Sequence, residues 1–284
     1  MTAPRRPETA RPRQDSPESH EHGLPTDEEL DAIELQHATR MVQSGAEVTA
    51  DEELGVWWIR FERRTPQLAF AMRLRWPEAE AETRLARLTA VMQGRGEWPS
   101  LSISEGLTQP TTIGDTLADA GWRIVAGERL MFTRHPPTNP HLDPTLRIVA
   151  VTPATAKECV ELEITNFGLP LSEVEPRTEW LAEAVRNGSE RAYIVRSMHK
   201  PVASARLIPG AGGAACLSAI NVVAAQRGRG YGRLVTSVAT RAGLATGAKL
   251  VWLSVDESNA PAVKLYESLG FEPTFAWSRW IASA

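Results

Sequence analysis

Apolar positions along this chain repeat with two periods, and the points where one gives way to the other mark its elements. Residues 1 to about 25 are rich in Pro, Arg, Glu and Ser and offer almost nothing to bury, which predicts a disordered tail. Thr26-Asp-Glu-Glu29 is a capping-box string leading into a helical pattern with Leu30, Ile33 and Met41. Two strand-like runs follow at 55–61 and 68–74, separated by a polar stretch with Pro66. A helix over about 80–93, a strand near 101–104, a short helix over 112–120 and a strand over 123–132 complete this part.

The proline-dense run from His135 to Pro144 reads as a linker, placed at 136–145. Beyond it the pattern predicts a strand over 146–152, helices over 154–166 and 178–186, and a hairpin of 192–195 with 202–208. Gly210-Ala-Gly-Gly213 turns into a strand ending at Val223, and a helical pattern begins near Leu234. Lys249–Val255 is a short, nearly continuous apolar run, as expected of a strand buried on both faces in a partly parallel sheet. In the next helix Asn259 is the N-cap, Pro261 fits the first turn and Gly270 follows the end.

The stretch with chemical content is Gln226-Arg-Gly-Arg-Gly-Tyr-Gly232. Glycines at 228, 230 and 232 alternate with Arg227, Arg229 and Arg233 between a strand and a helix. Residues without a Cβ leave backbone N–H groups uncovered, and at a helix N-terminus these converge where the macrodipole favours an anion. The N–H groups of Arg229, Gly230, Tyr231, Gly232 and Arg233 could thus cradle a phosphate, with charge added by Arg227 and Arg229. The spacing fits neither GxGxxG, since the sixth position from Gly228 is Arg233, nor GxxxxGK[ST]. A surface turn in an Arg/Gly-rich segment is the alternative.

The string RxxGxG at Arg227, Gly230 and Gly232, followed by NxxAxxLYxxxGF from Asn259 to Phe271, resembles the acetyl-CoA-binding half of the GNAT superfamily of N-acyltransferases. The motifs cover 222–271, and the surrounding pattern extends from Leu146 to the C-terminus. The resemblance implies an α/β (α+β) GNAT fold, a mixed central sheet flanked by helices, for residues 146–284. It also implies that acetyl-CoA is the acyl donor and a primary amine the acceptor. In the family the strand before the loop splays from its neighbour and pairs with the pantetheine arm, which maps to Val222, Val223 and Ala224. The amide of Asn259 bonds the cofactor, and Tyr266 is the general acid for the departing thiolate. The two early helices cover the acceptor site, at roughly Glu163 to Trp180, where Phe167 and Trp180 could line a pocket. Tyr266 could equally be a core residue with a satisfied hydroxyl.

Sliding the chain on itself by 149 residues places Leu101 over Leu250, Gly121 over Gly270 and Trp122 over Phe271. It also places Glu78 over Arg227, Ala81 over Gly230 and Leu117 over Tyr266, so a repeat here has lost its phosphate loop and its tyrosine. Residues 26–135 are accordingly expected to be a smaller, degenerate GNAT-like domain, an idea that requires a helix and a parallel strand pair between 80 and 125.

The base is the gap in this reading. Ribosomal-protein alanine acetyltransferases resemble the segment from Trp252 to Phe271 but carry a glutamate where this chain has Ser254, which cannot take a proton from an ammonium at neutral pH. Asp256, Glu257, Glu161 and Glu163 are the carboxylates in view. A non-catalytic acyl-CoA-binding module is therefore the alternative to an enzyme.

Composition narrows the partners. The net charge of −4 supplies no field to recruit nucleic acid or an acidic membrane surface, and one RGRGYG inside a folded pattern is unlike an RNA-binding tract. No run approaches transmembrane length, no apolar region follows the Arg-bearing N-terminus, and Cys159 and Cys216 read as buried thiols, so a cytoplasmic protein is expected. His135 and His141 lack partners at metal-ligand spacing, and no metal is expected.

Overall fold

The computed structural model describes residues 25–43, 46–61, 69–138 and 144–283; the expected N-terminal tail and the middle of the proline-dense linker lie outside these. The first half runs α1 (Asp27–Gln43), β1 (Ala46–Asp51), β2 (Val56–Phe61), β3 (Phe70–Met72), α2 (Ala81–Gly94), β4 (Ser100–Ser104), α3 (Ile113–Asp119) and β5 (Arg123–Thr133). The second runs β6 (Leu146–Ala150), α4 (Ala156–Phe167), α5 (Val174–Asn187), β7 (Arg191–Ser197), β8 (Lys200–Pro209), β9 (Ala214–Val222), α6 (Tyr231–Ala245), β10 (Leu250–Asp256), α7 (Ala260–Glu267) and β11 (Glu272–Ile281). The pattern reading missed β1 and β11, both of which mix polar and apolar residues without strict alternation.

Among the described residues all strands join one sheet in the order β1-β2-β3-β4-β11-β5-β10-β9-β8-β7-β6. The final strand of each half has crossed over. β5 lies antiparallel to β10, with Trp252 opposite Phe132 and Asp256 opposite Glu128. β11 lies antiparallel to β4, with Trp277 opposite Ser104. β5 and β11 pair with each other at the centre. A cut at the proline-dense segment would therefore part β5 from both of its partners.

The element order recurs at the 149-residue shift. Arg123 of β5 maps to Glu272 of β11, Ala81 of α2 falls one residue short of Tyr231 of α6, and the parallel contact of β3 with β4 at Ala71 and Leu101 corresponds to that of β9 with β10. Of the helix and parallel strand pair required between residues 80 and 125, α2 and β4 lie inside that window, whereas the parallel partner of β4, β3, lies before it and meets Leu101 at Ala71.

Alternation assigns the helices to faces. On β7, Tyr193 and Val195 pack with α6 while Ala192 and Ile194 pack with α4 and α5, so these helices cover opposite faces. α1 shares the α4 face and straddles the seam. Its capping box is closed by Thr26 N–H donating to Glu29 Oε2 at 2.8 Å and Glu29 N–H donating to Thr26 Oγ1 at 3.3 Å. Gln36, buried, donates to the Ile208 carbonyl at 2.7 Å and accepts from Trp252 Nε1 at 2.6 Å. Arg134 of the segment after β5 holds Glu29 in a two-pronged pair that keeps this carboxyl at about 2.

Trp277 is the centre of the seam. Only 4% exposed, it stacks on His37 at 4.0 Å, meets Trp252 and Phe275 edge-on, and donates to Ser104 Oγ at 2.8 Å. Burial, with Arg40 and Arg279 nearby, holds His37 well below its usual value and hence neutral. Trp277→Ala should cost about 3–5 kcal/mol and lower the urea midpoint equally for probes in either half; separate transitions, or a cost under about 1 kcal/mol, would contradict a shared core.

Candidate active site

The cleft begins where two parallel strands part. β9 and β10 are paired from Leu250 opposite Ala214 to Trp252 opposite Cys216. Beyond that point β9 continues to Val222 along β8, and β10 continues to Asp256 along β5. A bulge drives the separation: the β8–β9 register shifts between Ser204 opposite Asn221 and Arg206 opposite Ser218, and within the bulge Ala219 takes φ 49°. A positive φ costs a residue with a Cβ energy, so surrounding structure must hold it. Asn221, buried, anchors the far side by donating to Ser204 Oγ at 2.7 Å and accepting from Asn166 of α4 at 3.0 Å.

The splayed strands bound a cavity of about 260 Å³. Leu253, Val255 and Tyr266 line it from the α6 side, and Ser254 and Asp256 lie on the face of β10 that α1 covers. The cavity thus opens through the sheet. Asn259 lies at one end, with its side chain accepting from Ala262 N–H at 3.3 Å as the cap of α7.

Below the mouth, the chain turns into the glycine loop. Val222 is half-buried against the core, Val223 N–H donates to the Val202 carbonyl at 2.9 Å, and Ala224 starts a tight turn. Gly228 and Gly230 have φ 77° and 82°, which residues with a Cβ rarely adopt, and Gly230 is the N-cap of α6. A Cβ on Gly232 would stand 3.3 Å from Leu265 and 3.4 Å from Val222, so here glycine permits close packing of α6 against α7. The first N–H groups of α6 have no partner within the helix and face outward from its start. Arg227 and Arg229 are exposed beside them, whereas Arg233 is engaged with α7 through Ser268. The ring of Tyr231 is buried and its hydroxyl donates to Ser197 Oγ at 3.5 Å, leaving its backbone N–H as what it can offer a phosphate.

Tyr266 belongs both to the α6-side core and to the cavity wall, and it is 7% exposed. Burial pushes its phenol up to about 12, so it carries its proton at neutral pH. Burial also lifts Cys216 to about 11 and Cys159 to about 12, which excludes both as thiolate nucleophiles. Phe167, at the end of α4, reaches the cavity, while Trp180 stacks on Arg206 away from it. Glu163 forms a buried two-pronged pair with Arg206 and is unavailable as a base. Asp256 accepts from Ser258 N–H at 2.8 Å and Oγ at 2.6 Å, which hold its pKa down.

Two cavity residues escaped the sequence reading: Arg40 of α1 and Glu128 of β5. Both belong to the first half, Glu128 reaching the site through the strand exchange and Arg40 along α1; nothing local in the sequence marks them. In the first half the segments that follow β3 and β4 are tied together, with Trp76 N–H donating to the Gln109 carbonyl at 3.1 Å and Gln109 N–H to the Leu74 carbonyl at 3.0 Å. Glu78, Glu80 and Glu82 stand where the second half has Arg227, Arg229 and Tyr231, so this helix start repels a phosphate.

Buried Glu190 sits 3.5 Å from Arg206 beneath α4. Burial is the largest influence on it and raises its carboxyl to about 7 against an ordinary 4.5. The folded state therefore holds this proton more tightly, and the group's contribution to stability is complete below pH 4.5 and is lost as pH rises through about 7. Glu190→Gln should flatten the fall in melting temperature across that window and be relatively stabilising above it; an unchanged slope would show that Glu190 titrates normally.

No match was found among curated proteins. The model of the acetyltransferase (GNAT) family matches residues 156–271. Among solved structures the chain is similar to a GCN5-related N-acetyltransferase from Kribbella flavida, with a TM-score of 0.69 at 17% identity over 92% of this chain and 97% of that one. It is also similar to a tandem GNAT protein from the clavulanic acid biosynthesis pathway, with a TM-score of 0.62 at 20% identity over 80% and 78%. A GCN5-related N-acetyltransferase from Sphaerobacter thermophilus gives 0.63 at 18% identity over 80% and 76%. These likenesses establish the fold, and among the described residues no helix is long and apolar enough to cross a membrane. The stretch that matches the acetyltransferase (GNAT) family model, residues 156–271, contains the splayed strands, the glycine loop and Tyr266.

Proposed function

We propose that this protein moves an acetyl group from acetyl-CoA directly to a primary amine. The observation that carries the reading is the parting of β9 and β10 beside a cavity lined by Tyr266, with the chain leaving β9 through the glycine loop into the N-terminus of α6. A thioester on a long arm with a pyrophosphate at its far end needs such a slot. The arm pairs with backbone at Val222, Val223 and Ala224, and the pyrophosphate rests on N–H groups from Arg229 to Arg233, with Arg227 and Arg229 neutralising charge. On this reading the amide nitrogen of Asn259, whose oxygen caps α7, bonds the arm.

Tyr266 serves the leaving group. Its proton is held more tightly than that of an ordinary thiol, near about 8.5, so the phenol first donates a hydrogen bond to the charge building on sulfur and yields the proton as the C–S bond breaks. The first half, residues 26–135, is on this reading a GNAT-like unit that no longer takes a cofactor. Its glutamates at the helix start, Glu78, Glu80 and Glu82, support that assignment.

Calorimetry with acetyl-CoA tests the donor without requiring an acceptor. Micromolar binding is expected, abolished by Gly230→Val, which combines a strained φ with a bulky side chain in the cradle; absence of binding to any acyl-CoA would end the proposal. Tyr266→Phe should leave that affinity unchanged and lower kcat about 100-fold in thiol-release assays. Indifference of turnover to this variant would assign Tyr266 to the core alone.

A further inference from the structure

On the proposed acyltransferase reading, the second half contributes one carboxylate to the cavity lining, Asp256, which accepts from Ser258, and the strand exchange supplies another. We propose that Glu128, carried into the site by β5 of the first half, binds the acceptor ammonium and takes its proton.

Register fixes the position. Glu128 stands directly opposite Asp256 on β10 and opposite Trp277 on β11, so its side chain shares the sheet face of Ser254 and Asp256, the face covered by α1 and α4. It lines the cavity that Tyr266 lines from the other side. Donor and acceptor would therefore approach through opposite faces of the opened sheet, and the thioester would lie between Tyr266 and Glu128. Two carboxylates directly opposite each other repel, and a bound cation between them offsets that cost. An ammonium at this point meets the demand.

Charged neighbours distinguish the two carboxylates. Asp256 Oδ1 accepts from both Ser258 N–H and Ser258 Oγ, whereas Glu128 has no such local bonds among the described contacts. Arg40 of α1 lines the cavity, and Arg279 lies two pairs along β11, where the charge of Glu128 raises its pKa against the depression caused by burial. An anionic group on the acceptor would be met beside Arg40.

The step balances. The acceptor R–NH3⁺ gives one proton to the Glu128 carboxylate, and the freed amine nitrogen bonds to the thioester carbonyl carbon. The C–S bond then breaks, Tyr266 O–H protonates the departing sulfur, and the proton remaining in excess on nitrogen passes through solvent to restore the phenol. Glu128 returns its proton to solvent, leaving R–NH–acetyl, CoA–SH and one H⁺.

The experiment compares wild type with Glu128→Gln, using full-length protein. Acetyl-CoA affinity is measured by calorimetry, and thiol release is followed across pH with a panel of primary alkylamines and amino acids, and with hydroxylamine, which is largely unprotonated at neutral pH. Glu128 is exposed, so the variant should melt like wild type and bind acetyl-CoA equally well. With protonated amines kcat/KM should fall about 100- to 1,000-fold at pH 7, recovering about tenfold per pH unit as the amine deprotonates itself, whereas the rate with hydroxylamine should hardly change. An unaltered pH profile with alkylamines, or an equal loss with hydroxylamine, overturns the role of Glu128 while leaving the acyltransferase intact. Wild type that binds acetyl-CoA but accepts none of the amines overturns the cavity as an amine site. Wild type that binds no acetyl-CoA overturns the acyltransferase reading, and this inference with it.

Discussion

Antiparallel pairing of β5 with β11 is the constraint on which the rest of this structure depends. Each of these strands closes the half it does not belong to, so the eleven-stranded sheet has no internal edge along which it could divide. Backbone groups on a buried strand must find partners, and here those partners lie across the sequence midpoint. The result is that the candidate site in one half takes part of its wall from the other.

The polar contacts at the seam reinforce this arrangement. Gln36 and Glu34 of α1 are both buried, the first bonded to Ile208 and Trp252 and the second to Ser104 and Arg75. Because an unsatisfied buried amide or carboxylate is costly, neighbouring positions on one helix fix its rotation relative to both halves at once. α1 is thereby held where Arg40 reaches the cavity. The same logic applies beneath α4, where the Arg206–Glu163 pair and Asn221 set the helix whose end carries Phe167.

Much of this was legible in the sequence where chemistry is local. The glycines at 228, 230 and 232 fall on backbone that needs them, Asn259 caps α7, and Thr26 with Glu29 closes the start of α1, because capping and turn geometry are decided within a few residues. The shift relating Leu101 to Leu250 was visible as well, since it follows periodic apolar positions. The strand exchange was not, for a strand's sequence specifies its faces and not its neighbours. β11 escaped because Glu272-Pro-Thr and Ser278-Arg279 interrupt its apolar residues, and with it went the means of placing Glu128. Tyr231 looked like part of the cradle from its position between glycines, yet its side chain turns inward as core.

The exchanged strands also impose an order on the making of the molecule. β4, paired on one side with β3, finds its second partner only when β11 exists, and β11 follows every other described strand in the chain. Until then a ribosome-bound first half presents β4 with a bare edge, or holds β5 against it in a provisional pairing that must later be surrendered. Its sheet is completed only by contacts of very long sequence separation, the kind that form slowly. During synthesis the first half is thus a waiting template for its own final strand, and a sheet edge that waits is one that chaperones, or other copies of the chain, have time to find.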